Sequence, residues 1–217
     1  MLRLAIFDCD GTLVDSQHHI GAAMERAFTE EGLPPPPRAE VRRIVGLSIG
    51  EAVRQLLPEA TPARHAALAD RYRAAFFALR AAGTMGAEPL YPGIAELLAA
   101  LAGDGWRLGV ATGKSDRGLA HILAHHAIAP LFATLQTADR HPSKPHPAML
   151  EAALAEAGVM ARDAVMIGDT SFDMAMAVNA GVRAIGVGWG YHPADELIAA
   201  GASVVAEDAA ELRALLA

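Results

Sequence analysis

The sequence is poor in cysteine and contains no long apolar run. Cys9 is the single cysteine among 217 residues, which excludes an internal disulfide and is typical of a reducing cytosol. No segment predicts a membrane span, and the first apolar run starts too near the N-terminus to leave room for a signal peptide. The net charge of −7 argues against a nucleic-acid partner, because no basic stripe is available to meet phosphates. We expect a cytoplasmic protein with a small-molecule partner, either a monomer or a homodimer.

Lysine is scarce as well. Lys114 and Lys144 are the two lysines among the 18 basic residues, and the others are arginines. Each lysine is predicted to lie in a loop that follows an apolar stretch. An ammonium is a compact point charge, whereas a guanidinium is a planar fork. We therefore expect that the loops of Lys114 and Lys144 require a compact cation.

Helical and strand patterns alternate from Pro92 onward, which predicts a parallel sheet flanked by helices. The apolar run Leu4–Phe7 supplies the first strand, since buried parallel strands are apolar on both faces. The later strands are predicted at 108–112, 132–136, 164–167, 184–187 and 203–205. The helices between and after them are predicted at 93–103, 115–126, 146–157, 171–180, 194–200 and 208–216.

The stretch between the first two strands carries helical patterns alone. These patterns cover residues 17–32, 38–45, 49–57 and 61–82. A chain of this length has room for a core domain with a smaller inserted one. We therefore predict the α/β class, with a Rossmann-like core domain formed by 1–14 and 89–217 and a small all-helical domain formed by 15–88.

Two aspartates, Asp8 and Asp10, follow the first strand and precede Gly11. Alternate strand residues share a face, and ligands of open α/β sheets bind at the carboxyl ends of strands. Two like charges so close resist joint ionisation unless a cation or a proton offsets them. The pair predicts a metal site, an acid–base pair or both, and a carboxylate of this kind can also act as a nucleophile. The alternative is two turn residues that cap the next element.

Two loops after later strands carry groups that suit an anion. Thr112 and Gly113 stand where a strand meets a helix, and a hydroxyl with free backbone N–H groups binds anions there. The alternative is that Thr112 or Ser115 only caps the helix. Lys144 precedes Pro145, which we expect in the first helical turn, where it would fix the loop and direct the ammonium towards a phosphate. The alternative is an exposed surface lysine.

A second pair of acidic residues follows the strand near 164–167. Asp169 stands at the carboxyl end of that strand, and Asp173 lies in the first turn of the next helix. Mg²⁺ is typically held by one or two protein carboxylates together with phosphate oxygens and water. For Asp173 the alternative is a favourable position at the helix dipole, with Thr170 as the cap.

In this order, the four segments resemble the motifs of the haloacid dehalogenase superfamily of hydrolases, and the resemblance covers the whole chain. The motifs are Asp8-Cys9-Asp10-Gly11-Thr12, Thr112-Gly113, Lys144, and Gly168-Asp169 through Asp173. The resemblance implies a parallel sheet flanked by helices, with Mg²⁺ at the strand ends. It also implies that residues 15–88 are the family's small helical cap (the C1 type), which closes over the site and selects the substrate.

The resemblance implies catalytic roles for five of these residues. Asp8 is similar to the nucleophile that attacks phosphorus and forms an aspartyl-phosphate. Asp10 is similar to the acid–base residue, whose main-chain carbonyl also binds the metal. Thr112 and the Gly113 amide look like phosphate anchors, and Lys144 looks like the cation between Asp8 and the phosphate. The implied chemistry is phosphoryl transfer by positioning and charge neutralisation.

The resemblance also implies four metal-binding residues. Asp8 and Asp10 belong to this set, together with Asp169 and Asp173. Asp169 is implied to ligate Mg²⁺ directly, and Asp173 to ligate it through water or to orient the metal's surroundings. The implied cofactor is therefore Mg²⁺.

Several members of the family are weighed against one another. Asp10 implies phosphate-ester chemistry, since the dehalogenases differ at that position. The branch that cleaves phosphonates uses a cap lysine, and residues 15–88 contain none. A phosphomutase similar to β-phosphoglucomutase stays open as an alternative, although the spacing that would supply its cap histidine falls on Ile20. His18 and His19 are expected in a solvated helical turn.

The chain looks most like the phosphoglycolate phosphatases, which implies a small phosphomonoester similar to 2-phosphoglycolate as the substrate. Arg42 or Arg43 in the predicted cap is a candidate partner for a substrate carboxylate, with a solvated helix face as the alternative. A non-catalytic binding protein on the same fold also stays open, since fold does not fix function.

Overall fold

Six parallel strands form the central sheet of the structure, a computed structural model that describes residues 2–83 and 86–217. The strands are β1 (Arg3–Phe7), β2 (Trp106–Thr112), β3 (Phe132–Thr137), β4 (Ala164–Gly168), β5 (Arg183–Val187) and β6 (Val205–Ala206). They lie in the order β3-β2-β1-β4-β5-β6, and every pairing is parallel. This is the Rossmann order, whose winding reverses between β1 and β4. The predicted fold class is confirmed.

The central strand β1 is buried on both faces, which explains its uninterrupted apolar sequence. Ala5 and Phe7 belong to the apolar cluster on one face of the sheet, and Leu4 and Ile6 to the cluster on the other. Helices therefore have to cover both faces. The sixth strand differs from the prediction: it begins at Val205 because its ladder with β5 starts there.

Six helices of the core cover these two faces in the described part of the chain. They are α5 (Ile94–Gly103), α6 (Asp116–His125), α7 (Ala148–Ala157), α8 (Ser171–Asn179), α9 (Ala194–Ala199) and α10 (Ala209–Leu216). Helices α5, α6 and α10 share the apolar cluster of Phe7, whereas α7, α8 and α9 share that of Ile6. Short 3₁₀ turns lie at Ala129–Leu131 and Ala161–Asp163. No described helix is both long and apolar enough to cross a membrane.

The inserted segment forms a helical unit with its own apolar cluster. Its helices are α1 (Gln17–Glu30), α2 (Arg38–Arg43), α3 (Ile49–Leu56) and α4 (Pro62–Ala81). Met24 and Phe28 of α1 pack with Val53 of α3 and Leu68 of α4 in the middle of this cluster. Thr61 caps α4 and Pro62 occupies its first turn, a favourable start for a long helix. We call this helical unit the cap.

The chain enters and leaves the cap through two adjacent linkers. Val14 and Leu90 form an antiparallel bridge, and the N–H of Asp15 donates to the carbonyl of Pro89 at 2.9 Å. The N–H of Tyr91 donates to the carbonyl of Leu13 at 3.0 Å. We retain 15–88 as the proposed extent of the cap, between core segments 1–14 and 89–217.

Candidate active site

Three aspartates come together at the point where the sheet reverses its winding. Asp8 follows β1, Asp169 follows β4, and Asp173 lies in the first turn of α8. All three side chains are fully buried, and each offers a carboxylate oxygen within 4.8 Å of the others. Hard divalent cations prefer oxygen ligands of this kind. The arrangement of these donors fits a divalent metal.

Asp8 is the least satisfied of these carboxylates. Neither of its oxygens accepts a hydrogen bond within the described residues. The ammonium of Lys144 lies 2.8 Å from Oδ1 and forms an ion pair with it. Burial raises the pKa of Asp8 to about 7, and the negative charges of Asp173 and Asp10 add to the rise, while Lys144 opposes it. A divalent cation bound beside Asp8 would stabilise its charged form.

Lys144 is fully buried between two of the carboxylates. Its Nζ donates to Oδ1 of Asp173 at 2.6 Å as well as pairing with Asp8. Burial lowers the pKa of Lys144, but the carboxylates of Asp173 and Asp8 outweigh burial and hold it above its ordinary value. One expectation is wrong: Pro145 lies in the loop, because α7 begins only at Ala148. The surface-lysine alternative is excluded.

Asp169 is oriented by hydrogen bonds to both of its oxygens. The hydroxyl of Thr12 donates to Oδ1 at 2.7 Å, and the N–H of Tyr191 donates to Oδ2 at 2.9 Å. Burial raises the pKa of Asp169, and the charges of Asp8 and Asp173 add to the rise. Gly190 packs directly against Asp169, since a Cβ on that glycine would lie 2.1 Å from the Cβ of Asp169. The sequence showed no signal for this role of Gly190.

Asp173 caps a helix and also contacts Lys144 within the carboxylate group. Its Oδ2 accepts hydrogen bonds from the N–H of Thr170 at 3.0 Å and from the Thr170 hydroxyl at 2.7 Å. Thr170 and Asp173 thus form a reciprocal capping box at the start of α8. The other oxygen, Oδ1, is left to contact Lys144. Helix capping therefore fixes the carboxylate at the site.

The loop after β2 lies between the carboxylates and the cap. Thr112 is fully buried, and its hydroxyl accepts a hydrogen bond from the N–H of Lys114 at 3.2 Å. Ser115, and not Thr112, caps α6 by accepting from the N–H of Gly118 at 3.1 Å. Gly113 lies under the cap, because a Cβ there would be 2.4 Å from the carbonyl oxygen of Leu47. Thr112 is therefore free of a capping role.

Asp10 lies at the edge of the carboxylate group, within a second set of buried charges. Its carboxylate accepts a hydrogen bond from the hydroxyl of Ser16 and lies 2.7 Å from the ammonium of Lys114. That ammonium is also 3.3 Å from Glu88, which forms a further ion pair with Arg80 of α4. The scarcity of lysine pointed to Lys114, but no pattern in the sequence indicated Glu88.

Arg42 and Arg43 contact the core and are therefore not free for a substrate. Arg42 donates to the carbonyls of Gly190 at 2.7 Å and Tyr191 at 3.1 Å. Arg43 forms a two-pronged ion pair with Glu196 of α9, at 2.7 and 2.9 Å. Both arginines are exposed, as the solvated-face alternative expects, and each guanidinium also joins the cap to the core.

The two histidines of α1 differ in their surroundings. His18 is exposed, as expected, whereas His19 is buried and the expectation for it is wrong. The Nε2 of His19 lies 3.3 Å from the carbonyl oxygen of Gly86, next to the linker. Neither histidine belongs to the group of buried carboxylates.

A cavity of about 280 Å³ lies between the cap and the core. We call it the cap cavity. Asp10 and Lys114 are in its core wall, and Tyr72, Phe76 and Phe77 of α4 are in its cap wall. Ligand sites in proteins start at roughly this volume. Asp10 connects the cap cavity to the carboxylate group.

Comparison with known proteins agrees with this geometry. The family described as Haloacid dehalogenase-like hydrolase matches residues 5–187. The chain belongs to this family. The match contains the four loops and the cap, so the site lies in the part of the chain that defines the family.

The chain is similar in sequence and structure to individual phosphatases. The chain is 36% identical over 217 residues to "Probable phosphatase IndB" of Dickeya dadantii, covering 98% of this chain and 92% of that protein. It is 35% identical over 218 residues to a phosphoglycolate phosphatase of Rhodospirillum rubrum, covering 98% and 90%. A crystal structure of a predicted phosphatase from Clostridium acetobutylicum matches with a TM-score of 0.89 and 26% identity, covering 100% and 99%. The protein is thus a hydrolase of the phosphoglycolate phosphatase-like kind.

Proposed function

We propose that this protein is a Mg²⁺-dependent phosphatase that hydrolyses a small phosphomonoester through an aspartyl-phosphate on Asp8. The observation that carries the proposal is the group of three fully buried carboxylates beside a single buried ammonium, that of Lys144. Such a group retains an excess of negative charge, which is costly in a protein interior unless a cation compensates it. A divalent cation matches that excess.

Asp8 is the proposed nucleophile and Asp10 the proposed proton carrier. A carboxylate oxygen of Asp8 attacks phosphorus, the bond between phosphorus and the alcohol oxygen breaks, and that oxygen takes a proton from Asp10. Water then attacks phosphorus and gives a proton to Asp10, while the bond to Asp8 breaks and inorganic phosphate leaves. Lys144, Thr112 and the Gly113 amide are the proposed contacts of the phosphoryl oxygens.

The proposed metal ligands are the carboxylates of Asp8, Asp169 and Asp173, which offer oxygens within 4.8 Å of one another. The family resemblance adds the main-chain carbonyl of Asp10. When bound, Mg²⁺ neutralises charge on the phosphoryl oxygens. The chain's own part is to hold the carboxylates in place, through the hydrogen bonds that fix Asp169 and Asp173.

The alternatives have less support in the site. A mutase of the β-phosphoglucomutase kind needs a cap histidine near the reacting groups, but His19 contacts the carbonyl of Gly86 and His18 is exposed. A dehalogenase has no use for an acid at the position of Asp10. A non-catalytic binding protein has no reason to keep both aspartates and a buried lysine together.

The test is hydrolysis of p-nitrophenyl phosphate with Mg²⁺, with a chelator, and after Asp8→Asn. We expect the chelator to abolish the activity and added Mg²⁺ to restore it. Asp8→Asn removes the attacking oxygen, so kcat/KM should fall at least about a thousandfold.

Asp15→Asn is the matched control, because Asp15 is an exposed aspartate of the same segment whose side chain accepts from the N–H of Gln17. Its activity should stay within about twofold of the unmodified protein. Activity that survives both the chelator and the Asp8 substitution would contradict the proposed mechanism.

A further inference from the structure

The cap side of the cap cavity carries three aromatic rings of α4. Tyr72, Phe76 and Phe77 are half-buried, although rings of this size are usually well covered. The rings of Tyr72 and Phe76 lie 5.9 Å apart and are tilted by 42°. Ile49 of α3 extends the same surface. A flat apolar group that enters the cavity gains burial against this wall.

The cations that line the cap cavity already have anionic partners. Lys114 lies between Asp10 at 2.7 Å and Glu88 at 3.3 Å, and these side chains are at most 9% exposed. A carboxylate on the substrate would have to displace one of these partners.

Arg73 is the other basic residue of the cavity wall. It is about half exposed and pairs with Asp70 at 2.7 Å, an exposed pair of the kind that contributes little. Arg42 and Arg43 bind the core and do not line the cavity. Within the described residues of the cavity wall, therefore, Lys114 is held by two buried carboxylates, and Arg73 is the remaining cation that a small carboxylate could reach.

The cap contacts the core through a hydrogen bond and an ion pair. The N–H of Ser48 in the cap donates to the hydroxyl of Ser143 in the core at 2.9 Å, and Arg43 pairs with Glu196. A volume of about 280 Å³ holds about nine waters at the density of the liquid. The two-carbon acid of 2-phosphoglycolate would leave more of this space to water beside the reacting phosphorus than a ring would, since a benzene-sized ring takes about half of it.

We infer that the cap cavity selects phosphomonoesters of alcohols that carry an uncharged ring, and that it disfavours 2-phosphoglycolate. This inference rests on the proposed phosphatase function. The aromatic wall supplies the attraction for the ring. The paired state of Lys114, next to the carboxylates of Asp10 and Glu88, supplies the discrimination against a carboxylate.

Three phosphate esters of primary alcohols separate the attraction for a ring from the discrimination against a carboxylate. They are ethyl phosphate, benzyl phosphate and 2-phosphoglycolate. Ethyl phosphate is the reference, benzyl phosphate adds a neutral ring, and 2-phosphoglycolate adds a carboxylate. We expect kcat/KM for benzyl phosphate to exceed that for ethyl phosphate by about tenfold or more, and 2-phosphoglycolate to be no better than ethyl phosphate. A higher kcat/KM for 2-phosphoglycolate than for benzyl phosphate would overturn the inference and leave the phosphatase function standing.

Phe76→Ala tests the aromatic wall through a ratio of rates. The preference for benzyl over ethyl phosphate should fall at least about fivefold, because the ring loses its apolar contact. A loss of folded enzyme lowers both rates equally and leaves the ratio unchanged. Phe132→Ala is the matched control, since Phe132 is a half-buried phenylalanine of β3 outside the cavity. An unchanged ratio in Phe76→Ala would also overturn the inference.

Arg73→Gln tests the remaining route to a carboxylate. If Arg73 recruited glycolate, this substitution would lower kcat/KM for 2-phosphoglycolate relative to ethyl phosphate, and the inference would fail. We expect that ratio to stay within about twofold. If the proposed phosphatase function itself were wrong, the result would be different: hydrolysis of all three esters would be independent of Asp8 and of Mg²⁺.

Discussion

Replacement of Gly113 by alanine should keep the cap from closing while it leaves the core intact. The φ of Gly113 is outside the left-handed region, so alanine fits the local backbone. Its Cβ, however, would lie 2.4 Å from the carbonyl oxygen of Leu47 and 2.7 Å from that of Gly46, whereas ordinary contacts begin at 3.4 Å. The cap loop would have to retreat by about 1 Å, and a misplacement of that size costs about a hundredfold in rate.

The assay is kcat/KM for p-nitrophenyl phosphate, together with urea unfolding. Because Gly113→Ala keeps the backbone N–H that is the proposed phosphate contact, the loss would report on the cap rather than on that contact. Gly21→Ala is the matched control, since Gly21 lies within α1 and no atom lies within 4 Å of its added Cβ. It should keep its activity and gain about 0.5–1 kcal/mol of stability. Normal activity in Gly113→Ala would refute the closed geometry of the cap.

Two further predictions concern the buried carboxylates. Lys144→Met should lower the free energy of unfolding by about 3–5 kcal/mol in chelator, because Asp8 and Asp173 would lose their buried cation. Urea unfolding measures this loss, and a loss under about 1 kcal/mol would contradict the ion pairs. The pKa of Asp8 is raised from 3.8 to about 7, so the metal-free folded protein binds a proton more tightly than the unfolded chain. Asp8 should therefore make stability fall by at most about 4 kcal/mol as the pH rises from about 4 to about 7, the raised pKa of Asp169 adds a fall of the same sign, and Asp8→Asn should reduce the total. Urea unfolding in chelator at both pH values checks this, and an equal fall in the variant would assign the effect to other groups.

The contacts between the cap and the core could not be predicted from the sequence, and the reason is physical. Arg42 and Arg43 carry a pattern that fits both a substrate contact and a solvated helix face. Their actual partners are the carbonyls of Gly190 and Tyr191 and the carboxylate of Glu196. These groups are about 150 residues away along the chain. Local periodicity contains no information about such a pairing.

The sheet and the order of its polar loops follow from the sequence by itself. Leu4–Phe7 is apolar at every position because both faces of a central parallel strand are buried. Asp8 and Asp169 follow β1 and β4, and Thr112 ends β2. Parallel strands end at one edge of the sheet, so the approach of these residues could be predicted. Capping chemistry likewise placed Thr170 and Asp173 at the start of α8.

The tertiary structure alone decided how the charges are partnered and what the cap encloses. Glu88 shows no pattern in the sequence, yet it lies with Arg80 and Lys114 in a buried network that reaches Asp10. The sequence predicts only that Tyr72 and Phe76 lie in a helix. Their rings form a cavity wall because α4 lies over the core. Propensity and periodicity act over a few residues, whereas burial and ion pairing depend on segments that meet only in the folded chain.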